Sequence, residues 1–97
     1  MSHRPDDPLE NGLRQKLLTR THDDVDTMRS AALAQDFSIV VRLAHRLAGA
    51  AGALGLDALC EAARALQRDG ERADAARVQL HLDAVATELQ RASRGVS

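Results

Sequence analysis

The strongest constraint on the fold is a run of apolar residues at helical spacing in the middle of the chain. It steps by three or four positions through Phe37, Val40, Ala44, Leu47, Ala51 and Leu54. This spacing places all of these side chains on one face of an α-helix. Asp36 precedes the run as a candidate helix cap, and Gly55 follows it at a position that favours helix termination. The segment is therefore predicted to form one amphipathic helix that buries a single face.

Three other segments carry the same spacing, so the whole chain is predicted to be helical. They are marked by Leu13, Leu17, Val25, Met28 and Ala32, then by Leu56, Leu59 and Leu66, and finally by Val78, Leu82, Val85 and Leu89. The chain also has 18 alanines and 14 leucines against six valines and one isoleucine. This composition favours helix over strand.

The links between these segments predict how the helices are arranged. Short links near Gly55 and Gly70 favour antiparallel neighbours. Residues 21–24, Thr-His-Asp-Asp, resemble a capping box and would divide the first segment into a short helix and a longer one. We therefore predict an all-α fold over residues 8–94, an antiparallel up-and-down four-helix bundle with a short extra N-terminal helix. Residues 1–7 are predicted to be a flexible leader and residues 95–97 a tail.

Charge and composition exclude several classes of partner and location. Thirteen Lys and Arg residues against 14 Asp and Glu give a net charge of -1, so the chain lacks the basic surface that nucleic acids require. Phe37 is the only Phe, Tyr or Trp, which leaves no platform for base stacking. The longest apolar run, residues 47–56, is well short of the roughly 20 residues that span a bilayer. With the single Cys60 and no apolar signal segment, we expect a cytoplasmic protein without membrane insertion.

His45 lies on the polar side of the central helix, about 140° from the centre of the apolar stripe at about 100° per residue. The residues that share or border this side are Ser38, Val41, Arg42, Ala48, Gly49 and Gly52. A glycine inside a helix costs roughly 1 kcal/mol relative to alanine. Two glycines beside His45 therefore indicate a surface with few side chains, which another protein can approach closely. In the alternative interpretation, Gly49 and Gly52 permit close helix packing and His45 is an ordinary surface residue.

The other candidate residues do not suggest a second site. His3 lies in the predicted leader, and His22 lies among three aspartates that complement a helix N-terminus. His81 has no second histidine at helical spacing, so no metal site is predicted. Cys60 is predicted to be a small packing residue. A solvated face is predicted for four arginines that are interleaved with acidic residues, which are Arg64, Arg68, Arg72 and Arg77.

The residues around His45 resemble the signature of histidine-containing phosphotransfer (HPt) domains. Residues 44–55 read AHRLAGAAGALG, and Leu59, Ala63, Leu66 and Gln67 follow on the next helix. In that family the histidine is followed by a leucine, a lysine and a glycine over the next turn and by a second glycine further on. A Leu-Glu pair ends the next helix. The resemblance extends over residues 9–93.

Two residues depart from the family pattern. Ala48 stands where the family usually has lysine, and Gln67 where it often has glutamate. The family's lysine helps to hold the phosphoryl group. We expect Arg42 or Arg46 to supply the missing charge, since arginine is always protonated, and Arg42 is the better placed.

The resemblance implies that His45 is a phosphoacceptor. It would take a phosphoryl group from an aspartyl phosphate on a receiver domain and pass it to an aspartate on another receiver. Imidazole suits this role, because its ordinary pKa of about 6.5 leaves one nitrogen lone pair free at neutral pH. Such transfer commonly uses Mg²⁺, which we expect from the receiver, so no metal site or cofactor is expected in this chain. No glycine-rich nucleotide loop is present in the sequence, so the chain is not expected to use ATP.

The implied partners are response-regulator receiver domains, including the receiver of a hybrid sensor kinase, bound transiently by a monomer. The residues expected to bind the receiver and the phosphoryl group are Ser38, Val41, Arg42, Arg46, Ala48, Gly49 and Gly52. One alternative is a non-phosphorylated adaptor or inhibitor of the same fold, which the missing lysine would suit. Another is the phosphoacceptor helix pair of a sensor kinase. That pair usually has an acid after the histidine and a proline soon after, whereas Arg46 follows His45 and no proline follows Pro8.

Overall fold

The computed structural model describes residues 8–95 and shows four α-helices. They are α1 (Pro8–Leu33), α2 (Phe37–Ala53), α3 (Asp57–Glu71) and α4 (Ala75–Gly95). No strand occurs in this part of the chain, so the predicted all-α class is confirmed. None of the four helices is long and apolar enough to cross a membrane. The predicted leader and residues 96–97 of the predicted tail lie outside the described residues, whereas Gly95 ends α4.

The first helix is continuous, which corrects the predicted short extra helix at the N-terminus. Thr21 was expected to cap a second helix, but its hydroxyl donates a 2.7 Å hydrogen bond to the carbonyl of Leu17, one turn earlier. A threonine that bonds back to the preceding turn continues a helix instead of starting one. Thr21 is only 1% exposed, and Leu18 and Val25 on the same helix are also buried. Burial of this face in the core therefore overrides the local capping signal.

The three connections between the helices share one backbone conformation. Each contains one residue in the left-handed region, which is Gln35 (φ 58°), Gly55 (φ 73°) or Ala73 (φ 53°). The next amide bonds back into the last turn, as the Leu56 amide does to the Ala51 carbonyl at 2.9 Å. This pattern is the Schellman motif. Only Gly55 has the residue type that predicts it, because glycine has no Cβ that resists a positive φ.

The aspartates at two helix starts behave differently. Asp36 lies at the N-cap of α2 as predicted, but it makes no side-chain bond to the α2 backbone. Its carboxylate instead accepts a 2.7 Å hydrogen bond from the hydroxyl of Ser38. Asp74 does cap α4, because its Oδ1 accepts a 3.1 Å bond from the amide of Arg77.

The four helices bury one common core. The predicted stripe of α2 is confirmed at Val40, Ala44, Leu47 and Ala51, and Leu43 and Ala48 widen it. The predicted stripe of α4 is also buried, at Val78, Leu82, Val85 and Leu89. Leu80, which lies off that stripe, is 61% exposed. The helix α2 packs on α1 and α3, and α4 packs on α3 and α1, so the middle of α2 has one free side.

Asp69 is the only buried carboxylate among the described residues and is 4% exposed. Its Oδ2 pairs with Nδ1 of His81, which joins α3 to α4. Replacing His81 with alanine is expected to lower the free energy of unfolding by about 2 kcal/mol, because Asp69 loses a partner that water replaces only in part. Urea unfolding followed by circular dichroism measures this loss.

The double variant Asp69→Asn/His81→Ala provides the control for this pair. It removes the buried charge together with its partner, so part of the lost stability should return. An unchanged urea midpoint in His81→Ala would show that the pair contributes nothing to the folded state.

Candidate functional site

His45 lies on the exposed side of α2, opposite the buried Ala44 and Leu47, as predicted. Its Nδ1 lies 3.3 Å from Oε1 of Gln67 on α3. An amide oxygen can only accept, so this contact favours the neutral tautomer in which Nδ1 carries the proton. In that tautomer the other ring nitrogen, Nε2, has the lone pair. The contact gives the exposed ring a defined orientation and an internal partner that the sequence analysis did not expect.

An open cleft of about 370 Å³ lies beside the His45 ring, between α2 and α3. Its walls are His45, Ala48 and Gly49 from α2 and Arg64, Gln67, Arg68 and Glu71 from α3. Arg68 lies four residues after Arg64, and Glu71 lies four residues after Gln67. All four side chains therefore lie on one face of α3. The cleft therefore combines an imidazole with two guanidinium groups and one carboxylate.

Arg64 and Arg68 are cleft residues that the sequence analysis missed. It placed them on a solvated face, and both are exposed, but that face borders His45. Helical spacing was an available signal, because Arg64 lies three residues before Gln67 and four before Arg68, and residues three and four apart share a helix face. The register between α2 and α3, which brings this face to His45, has no local signal in the sequence.

The two arginines expected to replace the family's lysine do not line this cleft. Arg46 extends to α1, where its Nη2 donates to both carboxylate oxygens of Asp24 at 3.1 and 2.9 Å. Arg42 is exposed on α2, one turn before His45. The arginine side chains nearest the imidazole cleft are thus those of α3.

Gly49 and Gly52 leave the backbone of α2 bare beside His45. A Cβ at Gly49 would have no neighbour within 4 Å, and one at Gly52 would lie 3.4 Å from Sγ of Cys60. Cys60 itself is buried in the core, as predicted. Close packing therefore does not explain Gly49, and an accessible surface beside the imidazole does.

Replacing Gly49 with alanine is expected to raise the free energy of unfolding by up to about 1 kcal/mol, because helix propensity improves. No atom stands near the added methyl group. Urea unfolding measures the change, with Gly52→Ala as a comparison whose gain should be smaller because its Cβ meets Cys60. A destabilised Gly49→Ala would show that the folded domain itself requires this glycine.

The close approach of α2 and α3 depends on Gly70. A Cβ at this position would lie 2.9 Å from Cγ2 of Val41, closer than side-chain atoms normally approach. The sequence analysis placed a short link near Gly70, and α3 ends one residue later, at Glu71. Val41 lies one turn before His45, and Gly70 lies one turn after Gln67. This contact therefore holds the helices at the distance at which Gln67 reaches the imidazole.

Metal binding finds little support in the part of the chain that the structure describes. Within residues 8–95, no three His, Cys, Asp or Glu side chains are grouped as a metal site. His22 is exposed on α1, and His3 lies outside the described residues. The cleft offers one carboxylate, Glu71, beside two guanidinium groups, which does not fit Mg²⁺ because that ion prefers several oxygen ligands.

The comparison with known families agrees with this geometry. Residues 12–95 match the family model of the Hpt domain. The matched segment contains all four helices except the first turn of α1, and it includes His45, Gln67 and the whole cleft. No curated protein and no solved structure matches the chain. The chain belongs to the Hpt domain family, which carries phosphoryl groups on histidine and interacts with receiver domains in two-component phosphorelays.

Proposed function

We propose that His45 accepts a phosphoryl group from the aspartyl phosphate of one response-regulator receiver domain and passes it to an aspartate of another. The observation that carries this proposal is the exposed imidazole whose Nδ1 is held by Gln67. The tautomer that this contact favours has its lone pair on Nε2, which would be the nucleophile that such a transfer needs.

In the proposed step, the Nε2 lone pair attacks phosphorus, and a P–N bond forms as the P–O bond to the aspartyl carboxylate breaks. The receiver's aspartate leaves as a carboxylate. The Nδ1 proton stays on the ring and continues to donate to Gln67. Transfer to a second receiver reverses these bonds and restores the neutral imidazole. Phosphoryl transfer depends mainly on positioning and charge neutralisation, so one nucleophile on a rigid helix is a sufficient contribution.

The receiver supplies the rest of the active site in this proposal. The carboxylate that donates or accepts the phosphoryl group belongs to the receiver, and so does the Mg²⁺ that such transfer commonly uses. The cleft beside His45 is too poor in oxygen ligands to hold that ion itself. In this proposal the chain acts as a carrier that relies on the receiver for these groups.

The proposed docking surface is the exposed side of α2 around His45. Gly49 and Gly52 carry no side chains there, so the receiver's backbone can approach the ring. Val41 and the buried Ala48 add small apolar surface. The polar members of this surface are Ser38, Arg42 and Arg46. A small patch of this kind suits transient contacts, in which this chain acts as a monomer and binds one receiver after another.

The bundle that presents this surface is proposed to run up and down with antiparallel neighbours. Support comes from the connections of three residues, which join helices that pack directly on each other. Such an arrangement keeps α2 between α1 and α3 and leaves the His45 side of α2 open.

A non-phosphorylated adaptor or inhibitor that binds receivers is the second candidate function. The observation in its favour is Ala48, which is 7% exposed and places a methyl group where the family usually has lysine. An adaptor of this kind would bind phosphorylated receivers without taking their phosphoryl group.

A labelling experiment separates the two functions. A panel of receivers carrying radioactive phosphoryl groups is incubated with the chain, and a second sample receives phosphoramidate as a small-molecule donor. We expect label on the chain that is stable in alkali and lost in acid, as phosphohistidine is. A chain that binds phosphorylated receivers but takes no label from them or from phosphoramidate would overturn the phosphocarrier and support the adaptor.

A further inference from the structure

The cleft beside His45 contains two arginines without a partner among the described residues. Within residues 8–95, the side chains of Arg64 and Arg68 make neither a hydrogen bond nor an ion pair. By contrast, Arg46 is bound to both carboxylate oxygens of Asp24. Both cleft arginines are exposed and permanently charged, so they are free to turn toward an anion.

The charge around the imidazole comes from α3 and not from α2. On α2, the cleft has the methyl group of Ala48 and the bare backbone of Gly49. On α3, it has the guanidinium groups of Arg64 and Arg68 against the single carboxylate of Glu71. Two positive charges against one negative charge leave the cleft with an excess of one positive charge. Such a cleft is suited to an anionic group attached to the histidine.

We propose that Arg64 and Arg68 hold the phosphoryl group on His45, so that α3 supplies the positive charge that α2 lacks at Ala48. This inference rests on the proposed function, because it concerns the phosphorylated form of the same histidine. Guanidinium groups present paired N–H donors that match phosphoryl oxygens and form strong charge-assisted hydrogen bonds. Lysine would offer only a point charge at the same distance.

In this proposal, one face of α3 both orients the imidazole and binds the phosphoryl group. Gln67 accepts the hydrogen bond from Nδ1 and orients the ring. Arg64 lies one turn before Gln67 and Arg68 lies next to it, and both line the cleft beside the ring, within reach of a group attached to it. These arginines are substrate-binding residues for the phosphoryl group, and Gln67 is a positioning residue for the imidazole.

The test uses the phosphorylated chain without any receiver. The full chain is labelled on His45 with phosphoramidate, and the ionisation of the phosphoryl group is followed by ³¹P NMR as pH is varied. The double variant Arg64→Ala/Arg68→Ala is expected to raise the pKa of the phosphoryl group by about 0.5 to 1 unit, because nearby positive charge favours the more anionic form. The double variant Arg64→Lys/Arg68→Lys should keep most of the wild-type value.

Arg77→Ala is the matched control, because it removes an exposed arginine of α4 that lines neither the cleft nor the proposed docking surface. Its phosphoryl pKa should equal the wild-type value. Since no receiver is present, a role of Arg64 and Arg68 in docking alone would leave this titration unchanged. Unchanged circular dichroism confirms that each variant is folded.

The outcomes separate this inference from the function on which it rests. If the wild-type chain is labelled on His45 and the alanine double variant titrates as the wild type does, this inference is wrong and the phosphocarrier stands. An equal shift in Arg77→Ala would also overturn the assignment to the cleft arginines of α3. If the wild-type chain takes no label at His45, the proposed function and this inference fail together.

Discussion

Replacing His45 with glutamine is expected to abolish phosphorylation of the chain by receivers and by phosphoramidate. Glutamine is similar in bulk to histidine, but its amide nitrogen has no lone pair available to attack phosphorus. His45 is exposed, so the free energy of unfolding should change by less than about 0.5 kcal/mol. Alkali-stable label on the chain, measured against total protein, checks this prediction.

The matched control for this variant is His22→Gln. His22 is also exposed, but it lies on α1 and does not line the His45 cleft. Its glutamine variant should take label as the wild type does. Label that survives in His45→Gln would place the acceptor elsewhere in the chain and would remove the basis of the proposed function. His45→Gln should still bind receivers, which separates loss of chemistry from loss of docking.

Replacing Gly70 with leucine is expected to lower the free energy of unfolding by about 3 kcal/mol. A Cβ alone would lie 2.9 Å from Cγ2 of Val41 and 3.4 Å from Cγ1 of Val40. Both neighbours are stiff β-branched side chains, so they cannot turn aside easily. A leucine adds three further carbons to a packed interface and forces α2 and α3 apart. Urea unfolding followed by circular dichroism measures the loss.

Gly12→Leu provides the comparison for Gly70→Leu. Gly12 is also a helical glycine, but a Cβ there would meet no atom within 4 Å. Its leucine variant should be as stable as the wild type or slightly more stable, because leucine is the better helix former. Equal stability of the two leucine variants would show that the α2–α3 interface tolerates a larger residue.

Gly70→Leu should also disturb the site, because the same interface positions Gln67 against His45. In any fraction that remains folded, ¹⁵N NMR of the imidazole should show a weaker preference for the proton on Nδ1. A wild-type imidazole spectrum in a folded Gly70→Leu variant would show that the His45–Gln67 contact does not depend on the spacing of the two helices.

The helices themselves were predictable because helical periodicity is local. The stripe through Val40, Ala44 and Leu47 is buried as its spacing predicts, and so is the stripe that begins at Val78 on α4. The same spacing places His45 on the opposite, exposed side of α2. Backbone hydrogen bonds in a helix link residues four apart, so the face of each side chain follows from its position in the chain.

The wrong predictions came from local signals that packing overrode. The capping pattern at Thr21 is real as a sequence pattern, but the buried face of α1 keeps the helix continuous through it. Gly70 lies in the last turn of α3, where its lack of a side chain admits Val41, and no local pattern predicts that contact. The left-handed residue after α3 is Ala73, whose type predicts no such conformation.

The amino-acid sequence by itself determined the four helical segments, the position of His45 on the exposed side of α2, and the signature that marks the family. Tertiary structure alone decided that Gln67, Arg64 and Arg68 face His45, and that Asp69 pairs with His81. The physical reason is that each such contact joins two helices. Its geometry depends on how far one helix is shifted along the other, and that shift is set by packing between residues distant in the chain, such as Gly70 against Val41.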